Sequence, residues 1–292
     1  MHSGRMTIHQ TMREAARRLA DAGIDTALLD AEVLLRHVLD VDRTRLFLRY
    51  PEPMPADAAI EYDAIIGRRL AGAPVAYLTS TREFMALEFR TTADALIPRP
   101  DTEPLVEWAL GWLANRPDAR IVDIGTGTGA IAVSLSAHLP TTFRGEVIAT
   151  DISSAALALA SENADRLLTP ERRRQVRFIE GSLTEPIDGP VDLVLANLPY
   201  LTPGQIEENP DLDAEPRLAL DGGEDGLDLV RRVVADLPRI LATEAAAGFE
   251  IDPSQVVATE RLLHEIPGIA STRVIHDLAG RDRHVVAEFR QG

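Results

Sequence analysis

Cysteine and lysine are both absent from this 292-residue chain. Without cysteine there can be no disulfide, no thiolate metal site and no sulfur nucleophile. Without lysine there is no Schiff-base chemistry and no P-loop lysine to hold a nucleotide's phosphates. All 30 basic residues are arginine, a pattern that fits coding bias better than a chemical need. Long apolar runs are absent too. None approaches the roughly 18 residues of a membrane span, and the start, Met1 to Gln10, lacks the apolar stretch of a signal peptide. A cytoplasmic protein is the expectation. The seven histidines show no metal-ligand spacing and no His-Glu-x-x-His occurs, so no metal is expected.

With 45% hydrophobic and 26% charged residues, the chain is long enough for two domains and a substantial core. The net charge of −16 is unevenly placed. Residues 1–75 carry 10 arginines against 11 carboxylates, so almost all of the excess lies after them. An acidic second part argues against direct nucleic-acid binding, which needs a basic footprint. It leaves room for a protein partner that itself touches RNA.

Residues 1–75 read as a helical domain. Apolar residues recur at three- and four-residue spacing over Ile8–Leu19 and Leu28–Leu39, with Asp25 a candidate cap for the second helix, and again over Ala58–Leu70. Residues 76–103 read as a hairpin linker. Phe84, Leu87 and Phe89 suit extended structure, and two prolines stiffen Ile97-Pro98-Arg99-Pro100-Asp101-Thr102-Glu103 before a helix at about Thr102–Ala114. Residues 104–292 alternate strands with helices. The strands are expected at Ile121–Ile124, Val147–Thr150, Val176–Glu180, Val191–Ala196, Gly248–Ile251, Thr272–His276 and His284–Phe289. The helices are expected at Ala130–His138, Ser154–Leu168, Leu227–Leu241 and Pro253–Glu265. Such alternation predicts an α/β fold with a mostly parallel sheet covered on both faces. Only seven residues part the last two strands, too few for a helical crossover, so that pair should be antiparallel.

The turn Gly125-Thr126-Gly127-Thr128-Gly129 joins the first of these strands to its helix. Its glycines suit a tight turn and close approach of a ligand to backbone N–H groups. Asp151 ends the next strand, where a carboxylate can accept both hydroxyls of a ribose. Together they point to a nucleoside cofactor. With no lysine for phosphates and acidic surroundings, S-adenosyl-L-methionine fits better than ATP. Asp123 is either a group supporting the glycine turn or a capped strand end.

Asn197-Leu198-Pro199-Tyr200 follows the fourth of these strands and suggests chemistry at nitrogen. A conjugated or amide nitrogen is a poor nucleophile, so its hydrogens must be held with the lone pair facing the methyl carbon. The Asn197 side-chain oxygen and the Leu198 carbonyl can accept those hydrogens. Pro199 stiffens the turn, and the Tyr200 ring can pack on a planar substrate group. Arg172-Arg173-Arg174 reads as a solvated helix end. Glu207, Glu208, Asp211 and Asp213 read as a solvated lid over the site.

On these residues the chain resembles the release-factor glutamine N5-methyltransferases, the PrmC/HemK family. Further likeness lies in Ala22-Gly23-Ile24-Asp25 with Leu29-Asp30-Ala31-Glu32, in the proline-flanked Arg99 motif, in Glu215-Pro216, in Ala219–Leu227, and in Asp277–Arg283. The resemblance implies a class I S-adenosylmethionine-dependent methyltransferase: a Rossmann-like, mostly parallel seven-stranded sheet behind an N-terminal helical domain that docks the substrate. The implied reaction is N5-methylation of the glutamine amide in the Gly-Gly-Gln motif of peptide chain release factors, a protein modification in translation termination. Gly125, Thr126, Gly127, Asp151, Ser182, Asn197 and Arg99 would hold the cofactor. Asn197, Leu198, Pro199 and Tyr200 would hold the glutamine, with Asn197, Pro199 and Tyr200 as the catalytic set. Arg99 and Glu103 lie either at the cofactor edge or in a structural ion pair and cap. Where the family usually has Pro, Asp and Pro-Gly-Gly, this chain has Leu198, Ser182 and Ala245–Ala247, and Met85 stands at a common aromatic position. These departures motivate an alternative, a related enzyme that methylates the nitrogen of an amino acid, guanidine or natural product.

Overall fold

A computed structural model describes residues 6–290; the first five residues of the polar start lie outside it. The chain divides into two compact units, the second beginning at Thr81.

The first unit is all helical. Its α1 (Ile8–Asp21) buries Ile8, Met12, Ala15, Ala16 and Leu19 along one face, the amphipathic stripe expected of its sequence. Thr7 and Gln10 close a reciprocal capping box at its start. There follow α2 (Ala27–Leu39), α3 (Arg43–Arg49), α4 (Ala56–Leu70) and α5 (Val75–Thr79). Leu34, Leu35, Tyr62 and Ile66 fill the centre, and the Tyr62 hydroxyl donates to the Ala31 carbonyl at 2.8 Å. Asp25 does not cap α2. Thr26 takes the N-cap position without a side-chain bond, because the chain turns at Gly23 and the Ala27 N–H donates back to the Ile24 carbonyl. The short α3 and α5 escape periodicity analysis, since seven and five residues are too few to show a stripe.

The second unit opens with the hairpin β1 (Thr81–Phe84) and β2 (Leu87–Arg90). Its two-residue turn, Met85-Ala86, has both φ angles positive (50° and 58°), the twist that suits tight hairpins. A 3₁₀ turn at Pro100–Thr102 leads into α6 (Glu103–Leu113). The remaining elements are β3 (Arg120–Ile124), α7 (Ala130–His138), β4 (Glu146–Asp151), α8 (Ser154–Leu167), α9 (Pro170–Arg173), β5 (Val176–Glu180), β6 (Val191–Ala196), α10 (Pro203–Glu207), α11 (Asp228–Ile240), β7 (Leu241–Glu250), α12 (Val256–His264), β8 (Ile269–His276) and β9 (Asp282–Arg290).

Seven strands form one sheet in the order β5-β4-β3-β6-β7-β9-β8. The first five run parallel, and the final hairpin is antiparallel as its short connection requires. Successive strand residues face opposite sides. Val122 and Val194 join the core under α11 and α12, while Ile121 and Leu193 join the core under α6, α7 and α8. The strand expected at Gly248–Ile251 is longer, starting at Leu241. Its alanines have weak strand propensity, but Ala246 and Ala247 are fully buried between helical layers, and burial overrides propensity.

This order places a switch point between β3 and β6. From β3 the chain moves outward to β4 and β5, then returns to the other side as β6. Crossovers leave in opposite directions there, so a crevice opens beyond the strand ends. Ile124 pairs in register with Ala196, which sets the glycine turn and Asn197 side by side at that crevice.

Candidate active site

A cavity of ≈ 490 Å³ lies over these strand ends. It is lined by Gly125–Thr128 after β3, Asp151 at the end of β4, Ser182 after β5 and Asn197–Pro199 after β6, together with Arg99 and Thr102. Its size and mostly apolar wall suit a small organic ligand. Four strands that are distant in sequence thus deliver nearly all the expected cofactor and substrate residues to one place.

The glycine turn works differently from the sequence-based expectation. Its first three N–H groups are already engaged within the protein. Gly125 and Thr126 both donate to the Thr150 carbonyl at 2.9 Å, and Gly127 donates to Asp151 Oδ2 at 2.9 Å. The Thr126 hydroxyl donates to Asp123 Oδ2 at 2.6 Å, which also accepts the Ala132 N–H at 3.1 Å. Asp123 therefore supports the glycine turn from behind. Complete burial pushes its carboxyl up to about 7, against the opposing pull of those two hydrogen bonds and with a further push from the Asp151 charge. What the turn offers a ligand is room. Gly125 sits at φ +71°, and a Cβ there would stand 3.0 Å from Leu198 Cδ2.

Asp151 accepts the Gly127 N–H through Oδ2 and the Ser153 N–H through Oδ1, each at 2.9 Å. Both oxygens keep a lone pair, so two vicinal hydroxyls can still be received by a rigidly aimed carboxylate. The Ser182 hydroxyl accepts from Arg232 at 3.0 Å, which leaves its own hydrogen for a ring nitrogen. With the N–H groups of Gly125, Thr126 and Gly127 already engaged and a carboxylate beside them, the turn suits a cationic nucleoside better than a polyphosphate. The residues present fit S-adenosylmethionine.

The Leu198 side chain is buried in the core, packed against Gly125 at the base of the cavity. The Asn197 Nδ2 group donates to Thr102 Oγ1 at 3.1 Å, while its Oδ1 has no hydrogen-bond partner among the described residues. Tyr200 is not among the residues lining the cavity. Its hydroxyl donates to Glu250 Oε1 at 3.2 Å, and the Arg283 guanidinium lies 5.9 Å from its ring centre. Burial, followed by the neighbouring Glu250 charge, raises the Tyr200 phenol above its ordinary range.

Arg99 and Glu103 part company. Arg99 lines the cavity while paired with Glu215, whose buried carboxylate also accepts the Ile97 N–H at 3.0 Å. Glu103 instead accepts the Met85 N–H at 2.7 Å and braces the hairpin turn. The acidic stretch is solvated as expected. Glu207, Glu208, Asp211 and Asp213 are exposed and none lines the cavity; the same loop contributes Pro216, Leu218 and Ala219. Arg172 and Arg173 are less solvated than expected, since they cap the Leu139 carbonyl and pair with Asp165.

Three contributors escaped the sequence as site residues. Glu215 anchors Arg99. Gln255 donates to the Tyr200 and Asp225 carbonyls at 2.8 and 3.1 Å, tying the site turn to the Asp221–Leu227 block. Arg281 bridges Asp277 and Asp101 at 2.7 and 3.1 Å and so fixes the proline-flanked motif. Each reaches the site through a partner far along the chain: Glu215 through Arg99, Gln255 through the Tyr200 carbonyl, Arg281 through Asp101.

Comparisons with known proteins give the family. Residues 10–79 match the family model of the PrmC N-terminal domain, and residues 121–209 match a methyltransferase domain model. The release factor glutamine methyltransferase of Moorella thermoacetica is 41% identical over 98% of this chain and 100% of its own. That of Cereibacter sphaeroides is 40% identical over 97% and 99%. A methyltransferase from Pyrococcus furiosus, 16% identical, shares the fold with a TM-score of 0.51 over 79% of this chain and 98% of that one. Identity of this extent, over almost the whole chain, places the protein in the release factor glutamine methyltransferase family, as an S-adenosylmethionine-dependent enzyme.

Proposed function

We propose that this protein transfers a methyl group to the side-chain amide nitrogen of the glutamine in the Gly-Gly-Gln motif of peptide chain release factors. The observation that carries the reading is the free Asn197 Oδ1 at the switch-point cavity, next to the Leu198 backbone. A primary amide has two hydrogens to give. Two acceptors at the site hold both, which turns the nitrogen lone pair out of that plane toward the cofactor side.

S-adenosylmethionine, when bound, supplies an electrophilic methyl group on a sulfonium. Asp151, Ser182 and the Gly125–Gly127 turn hold it, with Arg99 at the cavity wall. Pro199 limits the backbone freedom of the acceptor turn, and Gln255 and Glu250 hold Tyr200 beside it. Orientation supplies most of the catalysis. The carboxylates lining the cavity are Asp94, which accepts the Thr92 hydroxyl at 2.7 Å, and Asp151, which holds the turn. Neither is aimed as a base; a methyl group arriving on the amide nitrogen leaves the positive charge there, and the resulting cationic amide is acidic enough to lose one N–H proton to water. We further propose that the helical unit docks the factor and that the enzyme works in the cytoplasm without nucleic-acid contacts of its own. Among the described residues no helix is long and apolar enough to cross a membrane.

Mass spectrometry of a Gly-Gly-Gln release factor incubated with the protein and S-adenosylmethionine tests this. One methyl on that glutamine, lost with Asn197→Ala, is the expected result. Cofactor binding without methylation would transfer the assignment to another nitrogen substrate.

A further inference from the structure

Behind Asn197 lies a chain of buried polar groups whose effect on Asn197 itself the reaction as described leaves unused. Thr102, from the turn before α6, and Glu250, the last residue of β7, are 3% and 1% exposed. The Thr102 hydroxyl donates to Glu250 Oε2 at 2.6 Å and accepts Asn197 Nδ2 at 3.1 Å. Glu250 Oε1 takes the Tyr200 hydroxyl, and His284, its register partner on β9, lies with Nε2 3.5 Å from Oε2.

We propose that Thr102 and Glu250 are positioning residues that dictate which end of the Asn197 carboxamide faces the substrate. This rests on the function proposed above. A hydroxyl has one hydrogen, and a carboxylate can only accept. With that hydrogen committed to Glu250, Thr102 shows Asn197 lone pairs alone. The Asn197 amide must then turn its N–H₂ toward Thr102, since the flipped amide would set oxygen against oxygen at about 3 Å. Its Oδ1 is left facing the cavity. A flipped amide would present hydrogens to a substrate nitrogen that itself has only hydrogens to give, and would leave Thr102 unsatisfied in a buried place. Glu250 thus sets the polarity of a group it does not touch. Tyr200 shares the same carboxylate, so the site's tyrosine and asparagine are held by one buried anchor.

Thr102→Val keeps the shape and removes the hydroxyl; Thr102→Ser keeps the hydroxyl; Thr102→Ala is a second hydroxyl-free variant if valine does not fold. The hydroxyl-free variants should lose about tenfold to a hundredfold in kcat, the cost of a misaligned acceptor. Their S-adenosylmethionine affinity by calorimetry should stay within about twofold, and Thr102→Ser should recover kcat to within about threefold. In ¹⁵N-labelled protein without substrate, the Asn197 side-chain amide signals, identified by their loss in Asn197→Ala, should shift in Thr102→Val and hold in Thr102→Ser. Undiminished kcat in a folded hydroxyl-free variant, or unmoved Asn197 signals in it, overturns the proposal. So does a serine variant as slow as valine. Wild-type protein that leaves the glutamine unmethylated overturns the function proposed above, whereas the amide signals test the positioning independently of any substrate.

Discussion

Gly125 and Leu198 close the floor of the site from two adjacent strands, and the space between them holds no extra methyl group: a Cβ on Gly125 would come within 3.0 Å of Leu198 Cδ2. Gly125 also sits at φ +71°, where an L-residue is strained by about 1–2 kcal/mol. Gly125→Ala should therefore push the turn into the cavity. The expected result is at least a tenfold loss of S-adenosylmethionine affinity by calorimetry, with the fold retained in circular dichroism.

Glu215 is buried and holds both Arg99 and the Ile97 N–H. Removing Arg99 leaves a buried carboxylate half-satisfied, while Glu215→Gln keeps an oxygen for Ile97. Urea denaturation should show Arg99→Ala destabilised by about 1–3 kcal/mol, less than a fully enclosed pair would lose because Arg99 is partly exposed. Glu215→Gln should cost less than Arg99→Ala. The reverse order would show that the guanidinium, not the carboxylate, is the group that needs its partner.

Asp123 gives stability a pH dependence of known sign. Its carboxyl titrates near 3.8 unfolded and about 7 folded, so the folded state holds the proton more tightly. The contribution is complete below about pH 4 and is lost as pH rises through about 7, by up to about 1.4 kcal/mol per pH unit between them. Asp123→Asn removes this slope. Melting temperatures at pH 5 and pH 8 should show the wild type losing ground against Asp123→Asn at the higher pH. Equal losses in both proteins would refute the assignment.

Gly226, at φ +74°, backs directly onto the site turn, with a Cβ only 2.1 Å from the Tyr200 carbonyl oxygen and 2.2 Å from Gln255 Nε2. Both are held atoms, since Gln255 donates to that carbonyl. Gly226→Ala should break this bond and displace Tyr200, abolishing methyl transfer while the Asp151 side of the cavity still binds cofactor. Turnover measured beside calorimetry separates the two effects. A variant with normal turnover would show that the block can yield without moving Tyr200.

Much of the molecule was legible before folding was considered. The stripe of α1 and the boundaries of α7, β5 and β6 follow from local spacing, turn residues and caps, and so do the glycine turn and the placement of Asp151 one βα unit later. The acceptor turn at Asn197 was legible because its residue types and its place after a strand agree. Misreadings fell where neighbours in sequence do not decide. Alanines hid the first half of β7, and in the loop after β6 the acidic residues drew notice while its apolar end, at Leu218, is what reaches the cavity.

The sequence by itself therefore determined the longer elements, the parallel sheet and the identity of the groups at the strand ends, because periodicity and turn chemistry act over a few residues. Only the tertiary structure decided what those groups face. That the Gly125, Thr126 and Gly127 N–H groups are taken depends on a neighbouring strand, β4. That Glu215 meets Arg99 across 116 residues, and Glu250 meets Thr102 across 148, depends on how crossovers stack the strands. Hydrogen-bond direction at Asn197 is settled by those distant partners, since an amide has two nearly equivalent faces until a buried neighbour can accept from only one of them.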